Sequence, residues 1–187
     1  MLNSKTTLIN WITNTDLHKI LITGHANADP DAIASALGLK ELITRIKSNI
    51  AVDITFPEGI SESSSHILES LNLLNIITSV EPNHDCYILV DTSTPEQLGE
   101  LGKKILESGK PIIIIDHHRI LPSDKIIITY VDENSPSSTE LIYDLFRELS
   151  LMPSQKIAQL LLTAIIYETR RFTFARPSTF KTTIDLI

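Results

Sequence analysis

The 187-residue sequence has a single cysteine, Cys86, and no long apolar run. One thiol cannot form a disulfide within the chain, which is typical of proteins from a reducing compartment. The longest run of aliphatic residues, 112–115, is far too short to span a bilayer. Residues 1–15 also lack the basic start and apolar core of a signal peptide. These absences predict a cytoplasmic protein without a membrane segment.

The chain also lacks a surplus of basic residues, since 16 Lys and Arg stand against 23 Asp and Glu, a net charge of −7. Proteins that wrap long duplex DNA neutralise many phosphates with Lys and Arg. The two modest basic clusters, at 40–47 and 170–176, are typical of solvated helix faces or loops. The composition therefore argues against extended DNA binding, whereas a small anionic substrate held by metal ions remains compatible with it.

Hydrophobic residues make up 42% of the chain, which suffices for one ordinary globular domain with a real core. Short Ile- and Val-rich runs alternate with longer segments of helical periodicity. Strands are predicted at 19–24, 50–56, 86–91, 111–116 and 126–131, and helices at 30–47, 62–73, 94–108 and 136–150. The alternation predicts an α/β fold, with a mostly parallel β-sheet of about five strands and helices on both faces.

Acidic and imidazole side chains follow four of the predicted strands. In strand order they are His25, Asp29 and Asp31; Asp91; Asp116, His117 and His118; and Asp132. Because ligands bind at the carboxyl ends of parallel strands, we expect these residues to converge on one cleft. Crowded carboxylates need a counter-charge, and mixed oxygen and nitrogen ligands suit Mn²⁺, Fe²⁺ or Zn²⁺. Two such ions bridged by a carboxylate are the usual arrangement for hydrolysing phosphate esters.

Each of these residues also has an ordinary structural interpretation. Asp29 precedes Pro30 and is a natural N-cap for the next helix. A single Asp after a strand, such as Asp91 or Asp132, is most often a turn residue. The metal interpretation is favoured because chance would have to place all four groups at the same end of four strands.

The remaining histidines and the cysteine lie outside this pattern. His18, His66 and His84 are predicted to be surface residues. Cys86 is predicted to lie in the core.

Four short motifs, in this order along the chain, resemble those of the DHH phosphoesterases. This family includes RecJ-type exonucleases, nanoRNA and pAp phosphatases, cyclic-dinucleotide phosphodiesterases and manganese pyrophosphatases. The motifs are HANADPD at 25–31, LVDTS at 89–93, IIDHHR at 114–119 and VDENSPSSTELIYDL at 131–145. Any single motif is weak evidence, but four in family order indicate membership.

The resemblance implies a centre of two metal ions, with Mn²⁺ favoured and Mg²⁺ or another divalent metal as alternatives. One ion would be bound by His25, Asp29 and Asp91. The other would be bound by Asp31, Asp91, His117 and Asp132, so that Asp91 bridges the two. The implied nucleophile is a metal-bridging water.

The resemblance also implies catalytic and substrate-binding residues. Asp116 would orient His117, and His118 would face the substrate phosphate with help from Arg119. Ser137 and Ser138, at a helix N-terminus, would contact an anion through backbone N–H groups.

The sequence departs from the family at three positions that bear on the site. Ala28 and Ala34 replace residues that are often Pro and Gly in the family, without removing a ligand. After the predicted linker helix, the sequence YETRRFTF places Glu168 where relatives often carry Asp before Thr, and the role of Glu168 is left open.

The expected organisation is a DHH catalytic-type domain over residues 1–150, followed by a helical linker region over 151–187. Most relatives continue into a second, glycine-rich substrate-binding domain of the DHHA1 type, which is expected to be absent here. The isolated chain is therefore expected to be weakly active.

The sequence predicts a divalent-metal-dependent phosphoesterase acting on a nucleotide or a short single-stranded oligonucleotide. A non-catalytic DHH-like scaffold or interaction domain is the alternative from another class. A pyrophosphatase or a cyclic-dinucleotide phosphodiesterase is the second alternative, although pyrophosphate would demand a denser Lys and Arg cage. Neither duplex DNA nor a membrane is an expected partner, and the oligomeric state is open, with a homodimer as one alternative.

Overall fold

Runs of Ile, Val and Leu form a parallel sheet in the computed structural model, which describes residues 2–77, 80–119 and 126–187. Within these ranges the strands are β1 (Leu2–Asn3), β2 (Lys19–Thr23), β3 (Ala51–Ile54), β4 (Cys86–Val90), β5 (Ile112–Asp116) and β6 (Ile126–Val131). They lie in the order β1-β6-β5-β4-β2-β3, and every neighbouring pair is parallel. The predicted α/β class is confirmed, and the two-residue β1 is an addition to the five predicted strands.

The helices of the described residues are α1 (Lys5–Asn14), α2 (Pro30–Ile46), α3 (Glu62–Leu71), α4 (Gly99–Glu107), α5 (Ser138–Glu148), α6 (Gln155–Glu168) and α7 (Pro177–Leu186). The segment predicted as one helix at 94–108 begins instead as a 3₁₀ turn at Pro95–Leu98 and continues as α4. The two are separated at Gly99, whose φ of +58° interrupts the helical backbone.

The two faces of the sheet are covered unequally. Ile22, Ile88, Ile113 and Ile128 are register partners across four neighbouring strands and belong to one large core with α1, α2, α5 and α6. The opposite face packs against α4 and the 3₁₀ turn that precedes it. Helices therefore lie on both faces, as the alternation of strands and helices predicts.

The helix α6 is part of this core. Its side chains approach α2 at Gly38, where a Cβ atom would lie 3.0 Å from both Leu161 and Ile142. The small residue thus lets α2, α5 and α6 pack closely. None of the helices in the described part of the chain is both long and apolar enough to cross a bilayer.

The order of the strands places a crevice between β2 and β4. From β2 the chain moves outward to the edge strand β3 and then returns to the other side of β2 to form β4. Such a reversal of direction is the point at which parallel α/β sheets bind ligands, at the carboxyl ends of the strands. The side chains that follow β2 and β4 therefore open onto this crevice.

Four predictions concern the burial of residues outside the cleft, and three of them are confirmed while that for His84 is wrong. Cys86 is buried, as predicted, and burial raises the pKa of its thiol. His84 was expected at the surface but is only 3% exposed. It is buried because its Nε2 pairs with Asp53 Oδ2 at 3.0 Å and its ring packs edge-on against Tyr87. His18 and His66 are exposed, as predicted.

Candidate metal centre

A close approach of β2 and β4 brings the first two groups of site residues together. Gly24 follows β2, and a Cβ atom at this position would lie 2.7 Å from the carbonyl oxygen of Val90. Only glycine therefore fits without a shift of the backbone. As a result His25, from the end of β2, lies beside Asp91, which follows β4.

His25, Asp29 and Asp91 form the first group of potential ligands, with one ligand atom from each within 4.8 Å of the others. His25 Nε2 lies 3.6 Å from Asp29 Oδ1 and 3.5 Å from Asp91 Oδ2. Its Nδ1 lies 2.9 Å from the carbonyl oxygen of Ala26, so Nδ1 is the donor and Nε2 faces the carboxylates.

The charges in this group shift one another's pKa. Asp29 first, and then Asp91, raise the pKa of His25 to about 10. Burial alone would raise the pKa of Asp29, but the interaction with His25 lowers it overall. Asp29 also caps α2 as predicted, because its Oδ1 accepts hydrogen bonds from the backbone of Asp31 and Ala32.

Asp91, His117, His118 and Asp116 form the second group. Asp91 belongs to both groups: Oδ1 lies 3.6 Å from His117 Nε2 and accepts a hydrogen bond from Ser138 Oγ at 3.0 Å. Asp91 has a φ of +52°, a left-handed conformation that is uncommon for a residue other than glycine. Such strain persists where the surroundings impose it, often at functional sites.

Asp31 connects the second group to the start of α5. Its carboxylate accepts hydrogen bonds from the backbone N–H groups of Ser138 and Thr139, both at 2.8 Å. Burial, and then the nearby charge of Asp91, raise the pKa of Asp31. Its Oδ2 lies 3.9 Å from His117 Nε2, at the outer edge of the group.

The backbone N–H groups at the N-terminus of α5 therefore bind the carboxylate of Asp31. The prediction from the sequence was a substrate anion at this position, bound by Ser137 and Ser138. Both serines are fully buried. Ser137 is the N-cap of α5, and its Oγ accepts a hydrogen bond from Glu140 N at 3.2 Å. The physical reason is that the backbone N–H groups at this helix start already have a protein carboxylate as partner.

The two adjacent histidines are held by different acceptors. Asp116 Oδ1 accepts hydrogen bonds from the backbone N and Nδ1 of His118, at 3.1 and 2.9 Å. Asp116 thus orients His118, whereas the sequence predicts that it orients His117. His117 Nδ1 instead lies 3.2 Å from the carbonyl oxygen of Ser135, which leaves Nε2 toward Asp91 and Asp31.

The Asp116–His118 pair also shifts the pKa of both partners. Asp116 raises the pKa of His118. Burial opposes the ionisation of Asp116, but the interaction with His118 keeps its pKa below the usual value. Because 58% of the His118 side chain is exposed, the imidazole is accessible to a ligand in the cleft.

Asp132 and Arg119 are two of the predicted residues that lie outside both groups. Among the described residues, the two Asp and His groups contain neither Asp31 nor Asp132. The Asp132 side chain is exposed and accepts a hydrogen bond from Asn134 N at 2.8 Å. Arg119 is also exposed, one residue beyond His118.

Glu168 is the residue whose relation to the site the sequence leaves open. It is half-buried at the end of α6, and burial raises its pKa. The charges of Asp29 and Asp91 raise this pKa further, while His117 and His118 lower it, so Glu168 lies within electrostatic range of the cluster. Its position arises because α6 packs against α2, the helix that begins at the cluster.

The donor set fits divalent metal ions. The carboxylates outnumber the imidazoles, and the distances of 3.5–3.9 Å from His25 and His117 to them are longer than hydrogen bonds. Ligand atoms at this separation are close enough to share one cation. In both histidines Nδ1 donates to a backbone carbonyl, which is how proteins orient metal-binding imidazoles.

Comparison with known proteins shows the family to which the chain belongs. The model of the DHH family, N-terminal domain, matches residues 19–165. The chain belongs to the DHH family. The match includes every residue predicted to bind metal or substrate.

Three similar proteins illustrate the range of this family. The chain is 30% identical, over 96% of its length, to the bifunctional oligoribonuclease and PAP phosphatase NrnA of Bacillus subtilis. It is 29% identical, over 83% of its length, to a probable manganese-dependent inorganic pyrophosphatase of Bacillus cereus. These alignments cover 54% and 50% of the two relatives, so the chain spans about half their length.

The third similar protein is a solved structure. An exopolyphosphatase-related protein from Bacteroides fragilis superposes with a TM-score of 0.82, at 21% sequence identity. The superposition covers 97% of this chain and 55% of the other. At this level of identity the likeness establishes the fold alone.

Proposed function

We propose that this DHH domain carries the metal centre of a phosphoesterase that hydrolyses phosphate bonds in nucleotides or short oligonucleotides. The observation that carries the proposal is the position of Asp91, one of whose oxygens faces His25 while the other faces His117. A carboxylate shared by two groups of ligands is what a bridged pair of metal ions requires.

The two groups supply the ligands of this proposal. His25, Asp29 and Asp91 would hold one ion, and Asp91, His117 and Asp31 the other, with Asp132 as a further carboxylate from the exposed loop beyond β6. Mn²⁺ is the proposed ion, supported by the mixed donor set and by the relative named as manganese-dependent. When bound, two such ions lower the pKa of a water molecule and offset the negative charge of the phosphate.

His118 is the proposed proton donor of the cleft. The bond from Nδ1 to Asp116 leaves Nε2 free, and the raised pKa of the imidazole favours the protonated form. An exposed Nε2–H can donate a hydrogen bond to a phosphate oxygen or a proton to a leaving group. Asp116 holds the ring for this role, and Arg119 supplies positive charge at the rim.

The substrate class rests on charge and on relatives. The net charge of −7 disfavours a long polyanion, and the NrnA relative is named for oligoribonuclease and PAP phosphatase activity. A pyrophosphatase is the second candidate, because another relative carries that name. The two candidates differ in whether a nucleoside must be present in the substrate.

The test combines metal binding with a substrate panel. Mn²⁺ binding is measured by calorimetry, and hydrolysis of pAp, di- to pentanucleotides, cyclic dinucleotides and pyrophosphate by phosphate release or chromatography. Asp91→Asn removes the shared charge but tolerates the left-handed backbone, because Asn adopts positive φ readily. We expect it to lose Mn²⁺ binding and to reduce hydrolysis by about a hundred- to a thousandfold, the effect of removing one group that stabilises charge in the transition state.

The matched control is Asp16→Asn, an exposed aspartate that precedes β2, at the opposite edge of the sheet. It should leave both measurements unchanged. Wild-type Mn²⁺ binding and hydrolysis in Asp91→Asn would contradict the two-metal assignment. Absence of Mn²⁺ binding by the wild type would favour the scaffold alternative.

A further inference from the structure

The segment that follows Glu168 differs in charge from the rest of the chain. Its residues 169–184 contain four Lys or Arg and no Asp or Glu, within a protein of net charge −7. The same 16 residues contain three of the five phenylalanines. Basic side chains interleaved with aromatic rings are the composition of surfaces that bind single-stranded nucleic acid.

The backbone of this segment takes an unusual turn. Arg170, Arg171 and Phe172 have φ values of +49°, +57° and +68°, so three consecutive residues that are not glycine are left-handed. Left-handed residues normally occur singly, and a run of them indicates a conformation imposed by its surroundings.

Thr169 and the end of α6 impose the turn. The buried Thr169 Oγ1 donates to Ile165 O at 2.7 Å and accepts from Phe172 N at 3.1 Å. Arg171 N donates to Ile166 O at 2.8 Å, which closes the helix end. Phe172 consequently turns inward to pack on the core, whereas the two arginines before it are exposed.

The exposed arginines lie among exposed aromatic rings. Arg170 lies over the ring of Phe174, 5.4 Å from its centroid. Phe174 is 59% exposed and Tyr167 is 51% exposed. An open pocket of about 430 Å³ is lined by Tyr167, Arg170 and Arg171, together with Thr163 and Ile166.

These arginines have no carboxylate partner among the described residues. Arg170 and Arg171 make no ion pair within 4.0 Å in the described part of the chain, whereas Lys5, Lys19 and Arg45 each do. Their charge is therefore available to an anionic ligand. We refer to Tyr167, Arg170, Arg171 and Phe174 as the α6-end surface.

The α6-end surface adjoins the metal centre. Glu168, which stands between Tyr167 and Thr169, interacts electrostatically with Asp29, Asp91, His117 and His118. Arg170 and Arg171 follow Glu168 by two and three residues along the chain, directly after α6, the helix that packs against α2. A mononucleotide in the cleft needs no contact beyond it, but an oligonucleotide does.

We propose that the α6-end surface binds the part of a single-stranded oligonucleotide that extends from the metal centre, an inference that rests on the proposed phosphoesterase function. Arg170 and Arg171 contact successive phosphates. Phe174 and Tyr167 stack on the bases, which every base permits because each has a π-face. The surface thus makes affinity depend on the length of the strand rather than on its sequence.

The direct test measures binding in EDTA, so that neither metal nor hydrolysis is involved. The probes are fluorescently labelled oligoadenylates of two and five nucleotides, and their binding is measured by fluorescence polarisation. The variants are Arg170→Gln combined with Arg171→Gln, and Phe174→Ser. The control is Lys156→Gln, an exposed cation in the first turn of α6, about 20 Å from the arginines along the helix axis.

We expect the five-nucleotide probe to lose affinity by at least about fivefold in Phe174→Ser, the lower limit for one stacked base. The double arginine variant should reduce the slope of log affinity against log salt by about 1.4, corresponding to two phosphate contacts of a single strand. The two-nucleotide probe should change little, and the control should match the wild type. Circular dichroism confirms that each variant is folded.

The outcomes separate this inference from the proposed function. Length-dependent binding that the variants weaken supports the α6-end surface, even if no substrate is hydrolysed and the phosphoesterase proposal fails. Failure of the wild type to bind the five-nucleotide probe, or equal binding by wild type and arginine variant, overturns it, even if Mn²⁺-dependent hydrolysis is intact. Equal binding of a polyglutamate peptide that is insensitive to Phe174→Ser also overturns it and favours an acidic protein partner.

Discussion

Two groups of histidines and aspartates in this protein differ in how closely their side chains contact one another. Near the amino ends of β2 and β4, Asp53 pairs with His84 Nε2 at 3.0 Å and with Lys19 Nζ at 3.1 Å. At the carboxyl ends of the same strands, His25 Nε2 remains 3.5 and 3.6 Å from Asp91 and Asp29. The first group is closed by direct contacts, whereas the second holds its ligand atoms further apart.

The balance of charge explains the difference. In the first group one carboxylate has two basic partners, and burial lowers the pKa of His84 in spite of Asp53. In the second group carboxylates predominate, and they raise the pKa of His25 to about 10. A neutral, buried histidine in a closed pair stabilises the fold, while an excess of carboxylates at a crevice is suited to cations. Histidine and aspartate in proximity are therefore not sufficient to indicate a metal site.

The strongest test of this contrast is a matched pair of histidine substitutions. His84→Ala removes a fully buried side chain and its hydrogen bonds, so we expect a loss of about 2–4 kcal/mol in the free energy of unfolding. His25→Ala should lower this free energy in EDTA by less than His84→Ala does, because the His25 side chain is about one-third exposed and solvent screens the ion pairs that it loses. Urea denaturation measures both values.

Mn²⁺ calorimetry on the same variants completes the comparison. His25→Ala should lose metal binding, and His84→Ala should keep it under conditions where it is folded. The contrast would be wrong if His25→Ala were the more destabilised variant in EDTA, or if Mn²⁺ bound to it with wild-type affinity.

Asp31 shares features of both groups, because it makes direct hydrogen bonds to the backbone and also lies beside the metal centre. Asp31→Ala leaves the backbone N–H groups of Ser138 and Thr139 without their acceptor, which should cost about 1–3 kcal/mol of stability in EDTA. Asp31→Asn retains one oxygen acceptor and should cost less, while still removing the negative charge. Urea denaturation in EDTA and Mn²⁺ calorimetry separate the two roles. Equal stability of the Ala variant and the wild type would show that Asp31 does not hold α5.

The smallest expected effect is a pH dependence of stability that arises from His84. Its folded pKa lies below the unfolded value, which is about 6.5. The unfolded chain therefore binds a proton that the folded protein does not, so this contribution to stability is lost as the pH falls below about 6.5. The unfolding free energy of the wild type, measured in EDTA between pH 7.5 and 5.5, should fall more steeply than that of His84→Gln. Parallel curves would contradict the assignment.

Local features of the sequence predicted much of the fold. Alternating apolar runs and helical periodicity located the five main strands within about two residues, because they depend on neighbouring residues along the chain. The Asp29-Pro30 pair predicted the start of α2 for the same reason. The short strand β1 has only two residues and no comparable pattern.

The composition of the site was less predictable. Three of the four groups of residues meet at the carboxyl ends of the strands, because parallel strands present these ends together, whereas Asp132 lies outside the cluster. Which acceptor each group takes was not predictable: Asp116 bonds His118 rather than His117, and Asp31 occupies the N-terminus of α5. These choices depend on side-chain orientation, which sequence spacing does not specify.

The sequence alone predicts the alternation of strands and helices and the acidic and imidazole groups directly after four strands. The roles of individual residues depend on the folded chain, such as the pairing of His84 with Asp53 and of Asp31 with Ser138, 107 positions away. The reason is that some properties depend on residues close in the sequence and others on residues far apart in it. Periodicity and capping arise from neighbouring residues, whereas burial, pKa and hydrogen-bond partners depend on groups that approach only when the sheet and its helices have packed.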